Sequence, residues 1–329
     1  MDVDLARIIG DGLRAALGPV GAYYALAAMG LNLHFGYTGL LNFGQVGFML
    51  MGAYGLAISV SIWGFPFWAG ILVGIGAAIV LALILGMPTL RLRADYLAIA
   101  TIAASEILRR MFRSGGWTPY TAGSFGIPSH LTGPGYARPF YAANPFPPGT
   151  YNVLGASFSH TRLWAALVGW SLVILLTAGI WLLMRSPWGR VIKSIREDED
   201  AARSLGKNVF SYKMQSLILG GVLGGIGGMV MALAQQAVEP NMFRPELTFY
   251  AYVVLILGGA ASVMGPALGS LLFWFMMISF ESFLRQGDLL PTGAAGPLRW
   301  ATVGVVLVIL MVFRPQGILG NRREMMLHG

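Results

Sequence analysis

Charge disappears from this chain for long stretches and returns in short clusters. Between Arg14 and Arg91 there is no Asp, Glu, Lys or Arg, a length that allows three crossings of roughly 20 residues each. Two of them run over residues 15–33 and 66–90, and a third ends near residue 62. The stretch leading into that third span, NLHFGYTGLLNFGQ from Asn32 to Gln45, is polar and glycine-rich. It predicts a broken or re-entrant segment near Asn42 in place of a simple helix. Further spans fall at residues 96–112, 163–184 and 214–238. Residues 247–280 are charge-free; as one helix they would measure about 50 Å at roughly 1.5 Å per residue. A bilayer core is only about 30 Å thick, so this stretch divides into two crossings near Gly265-Pro266, and a last span ends at Phe313. The pattern predicts an all-α, polytopic helical bundle of about nine transmembrane helices, a single membrane domain over residues 1–329.

Composition agrees, with 56% hydrophobic and 11% charged residues against roughly one quarter charged in soluble domains. With no cysteine in the chain, a disulfide framework and a thiolate metal site are both excluded. The formal net charge of +8 sits in blocks between apolar runs, which marks topology and gives no sign of a nucleic-acid partner. Arg185, Arg190, Lys193, Arg196, Arg203, Lys207 and Lys213 place the loop over residues 185–213 in the cytoplasm by the positive-inside rule. Arg314, Arg322 and Arg323 put the C-terminal segment on the same side, and nine crossings then leave the N-terminus outside. Arg109, Arg110 and Arg113 run against that rule at the external end of their helix. Residues 113–161, rich in Pro, Gly and aromatic side chains, read as a structured extracytoplasmic loop. The first residues, MDVDLARIIGDGLR, carry acids where a secretory signal is basic, so retention is expected. Leu5, Ile8, Ile9 and Leu13 share a helical face suited to the membrane surface.

Gly70, Gly74, Ala78, Ala82 and Gly86 recur every four residues, as do Gly220, Gly224 and Gly228; small residues so spaced let backbones approach closely in lipid. Within SPWGRVIKSIREDEDAARSLGKN, Ser194 and Glu197 have capping-box spacing and Gly206 is a natural stop. A capped helix of about 11 residues is predicted there, presenting either a docking surface or a solvated connector. Asn32, Asn42 and Gln45 flank the glycine-rich break, as pathway-lining groups or as structural amides. Glu106 lies inside an apolar span, where a carboxylate is a functional candidate, yet Arg109 and Arg110 stand in good order for a local ion pair. His34 is a proton-relay candidate or a structural histidine.

Asp200 to Gly206, DAARSLG, resembles the EAAxxxG motif of ABC-importer permeases, with Asp200 for the usual Glu. It is joined by GYTGLLNFGQ at 36–45, LRLRADYLAIATIAASEI at 90–107, SPWGR at 186–190 and RPQGILG at 314–320. Over residues 31–320 these motifs resemble the branched-chain amino-acid (LIV) permease family, specifically its LivM-type subunit. The chain departs from the pattern at Asp200, at Ala94-Asp95 where a Gly more often follows LRLR, and around residues 134–148. The resemblance implies a bacterial cytoplasmic (inner) membrane location and a heterodimer with a LivH-like permease subunit. It also implies two ABC ATPase subunits that hold the ATP and Mg, an extracytoplasmic substrate-binding protein, and no cofactor on this chain. It further implies that the loop carrying Glu197, Asp200, Ala201, Ala202, Leu205 and Gly206 sits in a cleft on the ATPase. There Ala201 and Ala202 would permit close approach, and Gly206 would set the exit angle.

An ion-coupled secondary transporter would need ionisable groups at mid-depth, and apart from Glu106 and His34 there are almost none. A channel would not need a capped docking helix. An HExxH motif is absent, and Gly206-Lys207-Asn208 lacks the rest of a Walker A sequence, so energy for active transport comes from another subunit. The substrates the resemblance implies are branched-chain or other hydrophobic amino acids, with urea and short amides as the alternative.

Overall fold

The computed structural model describes residues 4–92, 94–129, 135–286, 301, 304–305, 308 and 317–320. Helix α1, Leu5–Leu17, ends at Gly18, and Pro19 opens α2, Pro19–Leu31. Proline at a first helical position costs no hydrogen bond, and the stranded Leu17 carbonyl accepts from Trp170 Nε1 at 2.9 Å. Below α2 the ladder widens to π geometry over Asn32–Tyr37, and the chain turns through residues 38–44 into α3, Gln45–Ser61. Next come α4, Phe67–Thr89, and α5, Ala94–Arg113. The following segment carries short helices α6, Thr118–Thr121, and α7, Arg138–Ala142. Helix α8, His160–Arg185, leads into α9, Pro187–Glu197, and α10, Glu199–Ser204. Helices α11, Val209–Gln235, α12, Pro245–Gly258, and α13, Gly265–Gln286, complete the described bundle. Eight of the nine expected spans are therefore α2 to α5, α8 and α11 to α13. The ninth, ending at Phe313, lies outside the described residues, as do Arg314, Arg322 and Arg323.

The rows of small residues face inward, which is why these helices pack so closely. A Cβ on Gly74 would stand 2.7 Å from the Gly52 carbonyl, and one on Gly55 only 2.6 Å from Gly74 Cα. Gly220 presses on Gly30 and His34, Gly224 on Gln45, and Gly228 on the Met49 backbone. Helix α11 thereby becomes the mast of the bundle, running antiparallel to α2 and α4 and parallel to α3. Lipid tails are as apolar as the side chains, so close contact takes the place of the hydrophobic effect in holding the helices together.

The amphipathic α1 runs along the second half of α13. Gly12 meets Ser279 and Phe275 there, Ser282 Oγ donates to Asp11 Oδ2 at 2.9 Å, and the Asp4 amide donates to Gln286 Oε1 at 2.8 Å. Of Leu5, Ile8, Ile9 and Leu13 only Ile8 is buried there, while Leu5 and Ile9 stay exposed, at 67% and 43%. Near Asn42 the chain does not re-enter the bundle as a separate loop; residues 38–44 are the inner turn between two spans, and Gly39 is exposed at its tip.

The external segment is a built cap. Strand β1, Ile127–Pro128, pairs antiparallel with β4, Ala237–Val238, and β2, Thr150–Val153, forms a hairpin with β3, Ala156–Ser159. The last carbonyls of a helix have no partner inside it. At the outer end of α11, Tyr136 and Tyr141 supply partners, their hydroxyls donating to the Ala232 and Leu233 carbonyls at 2.9 and 2.8 Å. Burial pushes both phenols up from their ordinary value, which keeps them protonated as donors.

Candidate functional site

The inner loop is two helices with a corner, not the single capped rod that the sequence suggests. Pro187 starts α9 seven residues before Ser194. Ser194 is mid-helix, its hydroxyl turned back to the Val191 carbonyl at 2.8 Å, and Glu197 is the last residue of α9. The chain opens at Asp198, which is extended at φ −152°, and its carboxylate accepts from the Ala201 amide at 2.9 Å, capping α10. A carboxylate at a helix N-terminus outranks a hydroxyl already bonded within its own helix. At the other end Gly206, at φ +78°, closes α10. Its amide donates to Arg203 and that of Lys207 to Ala202, at 3.0 and 3.2 Å, a Schellman ending that favours glycine.

The corner separates a packed side from a presented side. Ala202 is buried with Ile195 and Val209, so its small size serves the closure of α10 on α9 and α11; it is not part of the outward surface. Asp200, Ala201, Ser204 and Leu205 face out, Leu205 being 80% exposed. Glu199 ties the loop down through Arg203 at 3.0 Å and through Lys213 of α11.

The buried break gathers some of the expected amides and separates others. Asn42 Nδ2 donates to His34 Nδ1 at 3.0 Å and to Gln45 Oε1 at 3.2 Å, while its Oδ1 accepts from the Gly44 amide at 2.9 Å. Gln45 Nε2 donates to the Gly220 carbonyl at 3.1 Å. Facing a carbonyl of Leu217 at 3.2 Å, His34 Nε2 must carry the proton, and the Asn42 donor leaves Nδ1 as acceptor. His34 is thus held as one neutral tautomer in a satisfied network. Asn32 stands apart from this group. It accepts from the Ala261 amide and donates to the Ser262 carbonyl, both at 2.8 Å, so it fastens the foot of α2 to the α12–α13 turn. All three amides are buried.

Glu106 is locally paired. Arg109 grips it with Nε at 2.8 Å and Nη2 at 2.7 Å, and Arg110 adds Nε at 2.7 Å. Arg109 also donates to Asn241 Oδ1 at 3.2 Å, and Arg113 reaches Ser124 at 3.3 Å. These partners explain how three arginines sit at the external end of a helix. Sequence reasoning missed the supports around the break: Thr101, which receives the Phe43 amide at 3.1 Å, Thr248, which receives the Val46 amide at 3.0 Å, and Tyr252, which donates to the Asn42 carbonyl at 2.9 Å. Thr101 and Ser105, four apart on α5 and both buried, were the available signal.

Such a bundle, with membrane-length helices, a broken inner turn and a presented inner loop, defines a multi-pass membrane permease. The chain belongs to the family described as branched-chain amino acid transport system / permease component, which matches residues 17–314, and it is a permease subunit of LivM type. It is 30% identical over 305 residues to the high-affinity branched-chain amino acid transport system permease protein LivM of Escherichia coli (strain K12), covering 91% of this chain and 68% of that protein. A probable branched-chain amino acid transport permease protein LivM of Methanocaldococcus jannaschii is 24% identical over 344 residues, 92% and 91% of the two chains. The nucleoside ABC transporter permease protein NupC of Lactococcus lactis is 26% identical over 296 residues, 85% of each.

Proposed function

We propose that this permease subunit forms half of the translocation pathway of an ATP-driven importer for branched-chain or other hydrophobic amino acids in a bacterial cytoplasmic membrane. A LivH-like permease supplies the other half, an extracytoplasmic binding protein delivers substrate, and two ATPase subunits hold the ATP and Mg. The observation that carries this reading is α10, whose outward surface of Asp200, Ala201, Ser204 and Leu205 stands on a cap at each end. ATPase closure would move this corner as a unit and bias the bundle between outward-facing and inward-facing states.

The pathway face follows from the cost of charge in lipid. Helices α4 and α8 expose Leu72, Val80, Ile84, Ile174 and Leu175, an apolar surface for acyl chains. Helix α5 exposes Ile99 and Ile107 beside the ionic group of Glu106 and Arg110, whose side chains are 25% and 76% exposed. Glu106 lies seven residues inside the outer end of α5, about 10 Å along the helix, where charge facing lipid is expensive. The exposed side of α5 therefore meets water or the partner permease. Asn32, Asn42 and Gln45 shape the inner turn beneath it.

A nucleoside ABC transporter permease is among the relatives, so the amino-acid assignment rests on the LivM relatives. Reconstitution of the two permeases and two ATPase subunits in proteoliposomes, with the binding protein added, tests the reading. Vanadate-sensitive ATP hydrolysis coupled to leucine uptake, lost in Leu205→Arg, is the expected result. Proton-driven leucine flux by this chain alone would overturn it.

A further inference from the structure

The coupling loop touches the foot of α2 through Arg196, near the C-terminal end of α9. Its Nη1 donates to the Gly36 carbonyl at 2.5 Å, and its Cγ lies 3.5 Å from where a Cβ on Gly39 would stand. Lys193, three residues earlier, lies over the Tyr37 ring at 5.9 Å. A helix C-terminus offers carbonyls without partners and a partial negative charge; Arg196 is held by one such carbonyl and Lys193 by an aromatic ring beside it.

The segment they hold is the π-helical stretch Asn32–Tyr37, whose residues are bonded to α11, to the inner turn and to the α12–α13 turn. The Leu33 carbonyl accepts from Thr38 at 2.7 Å and from Ser216 of α11 at 3.1 Å. His34 spans Leu217 of α11 and Asn42 of the inner turn. Asn32 holds Ala261 and Ser262 between α12 and α13. π turns are rare and recur at functional sites, and this one ends α2 where the chain turns toward α3. A pull on Gly36 therefore reaches α11, the inner turn and the α12–α13 turn together.

We propose that Arg196 is the positioning residue through which the coupling loop moves residues 32–40, and that this segment is the inner gate of the pathway. The proposal rests on the coupling reading above. The reach from Arg196 to Gly36 is the step that turns a docking event into movement of the bundle.

The test uses the complete complex in proteoliposomes, with Arg196→Ala, Arg196→Lys and, as a control on the same helix, Arg190→Ala. In Arg196→Ala the ATPase subunits stay bound and hydrolysis stays within about twofold, while leucine uptake falls roughly ten- to a hundredfold, the scale of a hydrogen bond to a charged group. Arg196→Lys restores part of the uptake, and Arg190→Ala transports like the parent. Hydrogen exchange at residues 32–40 changes on ATP binding in the parent and not in Arg196→Ala. Uptake by Arg196→Ala equal to the parent overturns the proposal, as does loss of the ATPase subunits from that variant, which would make Arg196 a docking residue. If the parent complex hydrolyses ATP without uptake while Leu205→Arg behaves identically, the coupling reading itself fails, and the gate assignment with it.

Discussion

A single methyl group measures how closely α2, α3 and α11 approach. On Gly220 it would stand 2.6 Å from the Gly30 carbonyl and 2.6 Å from His34 Cδ2, whereas on Gly76 it would meet nothing within 4 Å. Gly220→Ala is expected to destabilise the protein by about 1–3 kcal/mol, the usual range for overpacking a filled site, and Gly76→Ala to leave it unchanged. Unfolding temperatures in detergent compare the two. Asn42 supplies the other sharp case. Truncation to Ala strands His34 Nδ1, the Gly44 amide and Gln45 Oε1 in a dry interior, at about 1–3 kcal/mol for each group left unpaired; loss of the folded monomer on gel filtration would report it. The glycine rows were legible because four-residue spacing is a property of the helix alone. The distant partners of Asn32 and Gln45 were not, because they come from the α12–α13 turn and from α11, far along the chain.

Among the helices and turns, sequence reading erred where two caps competed. Ser194 and Glu197 fit a capping box by spacing, yet Pro187 had already begun α9 and Asp198 offered the stronger cap. Replacing Asp198 by Ala should cost about 1 kcal/mol of local helix stability. The expected signature is faster proteolysis between α9 and α10 with an unchanged unfolding temperature for the bundle. The external cap carries a pH dependence. The folded protein holds the phenolic protons of Tyr136 and Tyr141 more tightly than the unfolded chain does. Stability from these bonds is therefore complete below the ordinary phenol value of 10.0 and declines as pH rises beyond it. Protease sites within residues 113–161 should open above that pH before the bundle melts, and Tyr136→Phe should shrink the alkaline step. None of this was visible in the sequence, where the segment reads only as rich in proline, glycine and aromatic residues.

At the scale of the whole molecule, charge spacing located the apolar helices, and among the described residues eight of them fall where it placed them. What charge spacing could not supply is which face meets lipid, since α4 and α8 are apolar along most of their length. A chain without cysteine permits a direct measurement. Single cysteines at Ile99 and Ile107 should react with a water-soluble maleimide in the assembled complex or be shielded by the partner permease, and become reactive when that partner is removed. Cysteines at Leu72 and Ile84 should stay unreactive in both cases. Equal labelling of the two sets would refute the assignment of α5 to the pathway.

The short stretch Gly317–Gly320 has a bearing on biogenesis. The amides of Ile318 and Leu319 donate to the Leu257 and Gly258 carbonyls at 2.9 and 3.0 Å, and Gly320 lies against Gly259. Ribosomes deliver these residues long after α12 has been inserted. Until they arrive, the Leu257 and Gly258 carbonyls at the end of that helix lack these two partners, and the seam closes only once residues 317–320 have been made.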